Sequence, residues 1–205
     1  MITTLQPESI AVAARLLAGS MADNPLHQRV FGSQSARLEP MLEDAFARLL
    51  RRQMQTGTVL GAFENDALVG VAAMVPPGRC QPSLPEQLAM LPVLARGGAL
   101  RRLPRISHWL RAWARHDPAF DHWHLGPAAV DRSCQGQGVG TRLMAAICDR
   151  LDHHQGIGYL ETDKSENARL YRRGGFEVVA EESILGVTNW FMQRQPARGI
   201  SRSIR

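Results

Sequence analysis

A glycine-rich loop is predicted between an apolar segment at 123–130 and an amphipathic segment at 138–153, and it reads Gln135-Gly136-Gln137-Gly138-Val139-Gly140-Thr141. The apolar segment is typical of a β-strand, and the second segment repeats leucine, methionine and isoleucine at the spacing of one helix face. Glycine lets the backbone turn tightly and leaves the amide groups uncovered. A helix that begins here presents unpaired N–H groups and its positive dipole end. The loop therefore predicts a site for a phosphate or pyrophosphate.

Three glycines alone do not identify the ligand, because a plain strand-to-helix turn fits them equally well. A nucleotide P-loop is excluded, since no G-x-x-x-x-G-K-[ST] motif exists and Lys164 is the only lysine. A dinucleotide-binding fold expects an acid about 20 residues after the loop, and Glu161 and Asp163 lie near that place. The chain after the loop is nevertheless too short for a six-stranded doubly wound sheet.

The remaining elements predict a mixed α/β sheet. Helical spacing appears from Ile10 to Met21 and from Leu38 to Leu50. Strands are predicted at 5–7, 58–63, 67–75, 123–130, 159–162, 176–180 and 187–192, and a short helix at 165–173. The second and third of these strands form a β-hairpin with a tight turn at 64–66. Early hairpin strands followed by β-α-β units indicate an α/β (α+β) architecture.

The segment 79–117 is predicted to be a helical insertion. It holds four prolines, Gly97-Gly98 and an amphipathic run in which Trp109 and Trp113 share one face. Packing of these tryptophans onto the core is the favoured interpretation. A wall or lid over a substrate pocket is the alternative, since long connections in compact domains are often functional.

Length and charge predict one domain at 1–195 with a basic, disordered tail at 196–205. The chain has 205 residues and a net charge of +5, but the stretch from Arg194 to Arg205 holds four arginines and no acid. Removing those four leaves 20 basic against 19 acidic residues, so a nucleic-acid partner is not expected. No segment looks like a signal peptide or membrane helix, and three scattered cysteines exclude a disulfide framework. The expected location is the cytoplasm, as a monomer or homodimer without a membrane partner.

Two motifs together resemble those of the GCN5-related N-acetyltransferase (GNAT) superfamily. The run from Gln135 to Gly140 matches its Q/R-x-x-G-x-G/A signature, and the run from Asn167 through Tyr171 to Gly175-Phe176 resembles its N-x-x-x-Y-x-x-x-G-F signature. The pattern is particularly similar to the puromycin-type small-molecule acetyltransferases, where L-E-T also precedes the asparagine. The resemblance covers Trp123 to about Met192, and it implies a mostly antiparallel sheet whose central parallel strands splay apart between flanking helices.

The resemblance also implies a ligand and its contacts. Acetyl-CoA would serve as co-substrate, with its pantetheine arm along the strand and its pyrophosphate on the loop, and no metal is expected. Asn167 would lie near the pantetheine, and the hydroxyl of Tyr171 near the sulfur. The implied cofactor-binding residues are Ala128, Ala129, Val130, Gln135, Gly136, Gln137, Gly138, Val139, Gly140, Thr141, Asn167 and Tyr171.

The expected chemistry is direct attack of an amine on the thioester. The amine must be neutral, the oxyanion needs a donor such as the Val130 N–H, and the departing thiolate needs an acid. Tyr171 is the candidate acid, and Glu161 the candidate base. His122 and His124 are a second candidate for the base. A zinc pair of these histidines is rejected because the sequence shows no third ligand, and an acetylated Cys134 is rejected because no base lies beside it.

The predicted function is therefore an acetyl-CoA-dependent N-acetyltransferase acting on a small-molecule amine. One alternative is a protein or peptide N-acetyltransferase, which would have a long open groove. The other is a non-catalytic acyl-CoA-binding module of the same fold, because a fold alone does not fix a function.

Overall fold

The computed structural model describes residues 1–32 and 37–197, and its centre is a seven-stranded sheet in the order β1-β2-β3-β4-β5-β7-β6. Single 3₁₀ turns lie at Pro7–Ser9, Leu100–Arg102 and Arg132–Cys134. The strands are β1 (Ile2–Thr4), β2 (Thr58–Glu64), β3 (Ala67–Val75), β4 (Trp123–Val130), β5 (Gly158–Thr162), β6 (Glu177–Ile184) and β7 (Val187–Arg194). The helices are α1 (Ile10–Met21), α2 (Pro25–Phe31), α3 (Leu38–Thr56), α4 (Leu84–Arg96), α5 (Leu103–His116), α6 (Val139–His153) and α7 (Ser165–Arg173).

The sheet has helices on both faces because its central strands alternate apolar side chains between them. Val59 and Val71 pack beneath α1 and α3, whereas the adjacent Leu60 and Ala72 pack beneath α6. A third cluster joins α2 and α5 to β5 and β7 around the buried Phe191. The predicted α/β class is confirmed.

Neighbouring strands are antiparallel except β4 and β5, which run parallel and separate early. Their pairing is confined to Trp123 with Gly158 and His124 with Tyr159. The β3–β4 register also shifts, so that β4 carries one more residue than β3 between its Leu125 and Ala128 pairs. This extra residue is a β-bulge. The predicted splay of the two central parallel strands is confirmed.

A buried side chain from α3 contacts the backbone at the bulge. Gln53 is only 4% exposed, and its Nε2 donates to the Gly126 carbonyl at 2.7 Å. Pro127 follows directly and has no N–H for a sheet ladder. The strand is therefore tied to α3 at the point where regular pairing stops.

Three parts of the chain differ from the sequence prediction. The first strand occupies 2–4 rather than 5–7, because Pro7 already begins a 3₁₀ turn. Helix α2 is not among the predicted elements. Helix α4 lies within the predicted helical insertion, although no separate helix was predicted in this proline-rich stretch. In α4, Pro85 lies in the first turn, where the missing N–H costs no helix hydrogen bond, and the Ser83 backbone N–H donates to Glu86 Oε2 at 2.6 Å.

Most of the predicted basic tail, residues 198–205, lies outside the described residues. Within the described residues, no helix combines the length and apolar character required to cross a membrane.

Candidate active site

The glycine loop ends at the N-terminus of α6 with its amides uncovered. Gly138 is the residue before the helix and has φ +80°, and Gly136 has φ +76°. No side chain caps the helix at Gly138, and a Cβ on Gly136 would meet no atom within 4 Å. Backbone groups at an uncapped helix N-terminus are an anion-binding arrangement. The predicted pyrophosphate loop therefore has the necessary geometry.

Two polar side chains of the loop form hydrogen bonds with nearby backbone carbonyls and so stabilise the conformation of the loop. Gln135 Nε2 donates to the Val130 carbonyl at 3.1 Å, and Gln137 Nε2 donates to the Ser133 carbonyl at 2.9 Å. The side chain of Val139, the first residue of α6, is buried in the cluster between that helix and the sheet, and Thr141 is exposed. The residues predicted to bind the cofactor can therefore offer it mainly their backbone amides.

Strand β4 presents an open edge toward the splay. Asp131 N–H donates to the Val69 carbonyl at 2.9 Å, which makes Gly70 and Val130 a non-hydrogen-bonded antiparallel pair. The N–H of Val130 consequently points away from β3, and by the same alternation so do the polar groups of Ala128. The Val130 carbonyl accepts from Ser20 Oγ at 3.0 Å. An extended ligand along this edge can pair with Ala128 and the Val130 N–H, whereas the backbone of Ala129 faces β3.

Tyr171 and Asn167 lie on α7, one turn apart and partly buried. The Tyr171 ring packs edge-on to Phe176, with centroids 6.3 Å apart. Burial, reinforced by repulsion from Asp163, raises the pKa of Tyr171 to about 12. Its hydroxyl thus stays protonated at neutral pH and can donate a proton.

Glu161 and His124 form one pair, although the sequence offered them as separate candidates for the base. Glu161 Oε2 lies 3.0 Å from His124 Nε2, and the Glu161 side chain is 4% exposed. Burial by itself lowers the pKa of His124, but attraction to Glu161 and hydrogen bonding raise it well above its ordinary value. Because side chains alternate along β5, Glu161 shares the sheet face of Tyr159, opposite the face that α6 and α7 cover.

A cluster of polar side chains lies against this pair. Asp117 Oδ1 is 3.2 Å from His122 Nε2 and 3.8 Å from His124 Nδ1, and Cys80 Sγ is 3.6 Å from Asp117 Oδ2. Two further candidate donors, Asp117 and Cys80, therefore lie beside the histidines, where the sequence analysis found no third ligand. Cys80 is far from the histidines in sequence, so local spacing could not reveal it, whereas Asp117 lies only five residues before His122.

Three further residues that the sequence analysis singled out have structural contacts. Asp163, the candidate acid of a dinucleotide fold, accepts from the Leu26 N–H at 2.7 Å and so holds the first turn of α2. Trp113 packs into the cluster around Phe191, and its Nε1 donates to the buried Asn189 Oδ1 at 3.1 Å. Trp109 lies against Trp113 with ring centroids 5.1 Å apart. The favoured interpretation of the tryptophans, packing onto the core, agrees with these contacts.

A cavity of about 300 Å³ lies elsewhere, between α2, α3 and the turn that follows α4. Phe31, Met41 and Arg102 are among its lining residues. None of its lining residues belongs to the glycine loop, β4, β5 or α7, so we do not assign the cofactor to it.

Solved structures resemble the whole described architecture at low sequence identity. A Corynebacterium glutamicum protein, described as histone acetyltransferase HPA2 and related acetyltransferase, is 19% identical with a TM-score of 0.67, over 98% of both chains. A Drosophila melanogaster polyamine N-acetyltransferase that forms N-acetylagmatine is 15% identical with a TM-score of 0.62, over 95% of this chain and 99% of that one. A proposed acetyltransferase from Salmonella typhimurium, solved with its cofactor acetyl-CoA, is 14% identical with a TM-score of 0.58, over 100% and 98%.

These likenesses establish the fold, and the family follows from a separate match. The model of the acetyltransferase (GNAT) family matches residues 26–176, which include the glycine loop, the splay and Tyr171. The chain therefore belongs to the GNAT family of acetyltransferases and is an N-acetyltransferase.

Proposed function

We propose that this enzyme transfers the acetyl group of acetyl-CoA to the amine of a small molecule by direct attack. The observation that carries the proposal is the open edge of β4, which leads from the bulge to the uncapped N-terminus of α6. A pantetheine arm fits such an edge as a further strand would, and a pyrophosphate fits the loop amides.

The residues on either side of the splay supply proton transfer. Glu161 accepts the proton that the attacking amine loses, while the amine nitrogen forms its bond to the thioester carbon. The Val130 N–H, which points away from β3, donates to the oxyanion that develops. When the carbon–sulfur bond breaks, the electron pair leaves with the sulfur and the Tyr171 hydroxyl protonates the thiolate. Asn167 holds the pantetheine near that hydroxyl.

The small size of the acceptor is inferred from what covers the Glu161 face. Asp117 directly follows helix α5 and lies against the histidines beside Glu161, so the segment 79–117 narrows access of the acceptor to Glu161. The carboxylate of Glu161 favours a cationic amine over an anionic one. The neighbour from Drosophila, named for polyamines, agrees with this class, whereas the name of the Corynebacterium neighbour points to a protein acceptor.

Free-thiol release from acetyl-CoA tests the proposal with three groups of acceptor: polyamines, other small primary amines, and peptides with free N-termini or lysines. We expect release with at least one small amine and little with the peptides. Gly138→Glu, which fills the loop with a negative side chain, should abolish release in a folded protein. Thiol release with peptides alone would show that the acceptor is a protein or peptide and not a small molecule. Coenzyme binding without thiol release from any acceptor would identify a non-catalytic module.

A further inference from the structure

We propose that Cys80, Asp117, His122 and His124 form a zinc site that fastens both ends of the segment 79–117 to the start of β4. Cys80 lies a few residues after β3, and Asp117 directly follows α5. His122 directly precedes β4, and His124 is the second residue of β4. One donor atom from each residue lies within 4.8 Å of the other three. The site is independent of acetyl transfer and would exist whatever the acceptor is.

The separations between the donor atoms suit a tetrahedral ion. Zinc–ligand bonds of ~2.0–2.3 Å in a tetrahedron hold the ligand atoms about 3.3–3.8 Å apart. Asp117 Oδ1 lies 3.2 Å from His122 Nε2 and 3.8 Å from His124 Nδ1, and the donor atom of Cys80 lies within 4.8 Å of the other three. Two imidazoles, one thiolate and one carboxylate form a donor set typical of zinc, and it excludes magnesium and calcium, which prefer oxygen ligands.

Three buried polar atoms point into this space without a hydrogen-bond partner. They are Asp117 Oδ1, His122 Nε2 and His124 Nδ1, one from each non-sulfur residue of the cluster. The His122 residue is only 6% exposed. An unpaired buried polar atom is unfavourable because it has given up its bonds to water without replacement, and one ion accepts all three lone pairs at once.

The other polar atom of each of these residues is already held. His122 Nδ1 lies 2.9 Å from the Phe120 carbonyl, and His124 Nε2 lies 3.0 Å from the carboxylate of Glu161. Asp117 Oδ2 accepts from Gln81 Nε2 at 3.0 Å. A zinc-bound histidine commonly donates its second ring N–H to a carboxylate or backbone carbonyl, which selects the tautomer that ligates. Here that pattern leaves His122 Nε2 and His124 Nδ1 free for the metal.

The proton and charge balance is simple. Zn²⁺ displaces the proton of the Cys80 thiol and any proton on the two imidazole donors, and those protons go to solvent. The thiolate and the Asp117 carboxylate then neutralise the two charges of the ion. Four protein ligands complete the tetrahedron, so the metal has a structural role and leaves no position for substrate. It also fixes the His124 ring, whose other nitrogen faces Glu161.

Metal content and cobalt substitution test the site without any activity measurement. Protein produced with added zinc and kept reduced should contain one zinc per chain by mass spectrometry of the metal. Titration of metal-free protein with Co²⁺ should give thiolate-to-cobalt charge-transfer absorption and the intense visible bands of a tetrahedral ion. Cys80→Ser should remove the charge-transfer absorption, and His122→Asn should weaken cobalt binding by more than about tenfold.

Two control variants separate the site from general effects. Cys134→Ser removes a partly buried thiol of the glycine loop, and His108→Asn removes an exposed histidine of α5. Both should keep the zinc and the cobalt spectrum. A wild-type protein that takes up no stoichiometric zinc and shows no thiolate–cobalt absorption would overturn the proposal, whether or not the variants fold. Equal cobalt binding with equal spectra in Cys80→Ser and Cys134→Ser would overturn it as well.

Discussion

The two tyrosines provide an internally controlled test of proton donation to the leaving thiolate. Tyr159 has a fully buried ring, and its hydroxyl donates to the His116 carbonyl at 2.9 Å. Tyr171 is partly buried on α7, where burial and Asp163 raise its pKa to about 12. Replacing each with phenylalanine removes one oxygen from the chain and leaves the ring in place.

The expected losses differ in kind. Tyr159→Phe leaves the His116 carbonyl without this donor, which costs about 1–3 kcal/mol of unfolding free energy. At roughly 2–4 °C per kcal/mol for a chain of this size, the Tm should fall by about 2–12 °C, with little change in kcat. Tyr171→Phe should leave the Tm nearly unchanged and lower kcat by ~10²–10⁴, which corresponds to about 2.7–5.5 kcal/mol of transition-state stabilisation.

The raised pKa of Tyr171 adds a second measurement. The folded protein holds this proton more tightly than the unfolded chain, whose tyrosine pKa is near ~10. The resulting contribution is fully present below about pH 10 and is lost as the pH rises toward 12, with an upper limit of roughly 3 kcal/mol. Urea unfolding between pH 8 and pH 11 tests this. As the pH rises, the free energy of unfolding should fall less in Tyr171→Phe than in the wild type.

Thiol release at saturating amine, measured on both variants beside their melting curves, separates a catalytic from a packing role. Unchanged kcat in Tyr171→Phe would assign the proton to water and leave Tyr171 as a packing residue. Equal losses of kcat in the two variants would show that the effect belongs to the fold around β5 and α7.

Three further predictions concern the cofactor loop, the tryptophans and the C-terminal strand. Gly140→Glu should abolish coenzyme binding, measured by calorimetry. A Cβ at this position would lie 3.3 Å from Leu170, and the carboxylate would face the phosphates of the coenzyme. The control Gly186→Glu, in the β6–β7 hairpin at φ +82°, should retain coenzyme binding. Trp113→Ala should lower the unfolding free energy by roughly 3–5 kcal/mol, and a raised acceptor KM with an unchanged Tm would contradict its packing role. Arg194→Ala should lower the free energy of unfolding in urea by about 2–3 kcal/mol, because Arg194 binds both Asp152 oxygens at 2.7 and 2.8 Å. Arg150→Ala is the matched control, because the Arg150 side chain donates to the Ala146 carbonyl of its own helix. The contact between Arg194 and Asp152 also lowers the pKa of Asp152. Its stabilisation is therefore present above the ordinary aspartate pKa and is lost as the pH falls. In Arg194→Ala the free energy of unfolding should accordingly depend less on pH in the acid range.

The half of the fold around the glycine loop could be predicted because its signals are local. Glycines before an amphipathic run indicate a helix start, and α6 begins one residue from the predicted position. The hairpin of β2 and β3 was equally predictable, since its strands flank the turn residues Asn65 and Asp66, both with positive φ. Such elements depend on neighbours in the sequence, which periodicity can detect.

Helix α4 shows what local signals miss. Proline is normally read as a helix breaker, yet Pro85 lies in the first turn and Pro92 lies inside the helix. The helix packs through the buried Val93 onto the cluster beneath α1 and α3. Tertiary burial therefore outweighs an unfavourable local propensity, and a single sequence does not show which segments have such support.

The candidate site likewise has a part with local sequence signals and a part that depends on tertiary structure. Motif spacing located the loop and Tyr171, but the pairing of Glu161 with His124 depends on the two-residue parallel register of β4 and β5. The approach of Cys80 to Asp117 depends on two helices that close a 37-residue separation. No rule of sequence spacing encodes either distance, because the first results from strand pairing and the second from the packing of helices.

Amide hydrogen exchange with saturating coenzyme A tests the proposed cofactor site most directly. If the coenzyme lies on the open edge of β4 and the amides at the start of α6, exchange should slow in peptides covering 125–130 and 135–141. The β6–β7 hairpin at 184–187 should exchange at the same rate with and without the coenzyme. Saturated binding that protects neither 125–130 nor 135–141, or that protects instead the residues around Phe31 and Met41, would contradict this assignment of the cofactor.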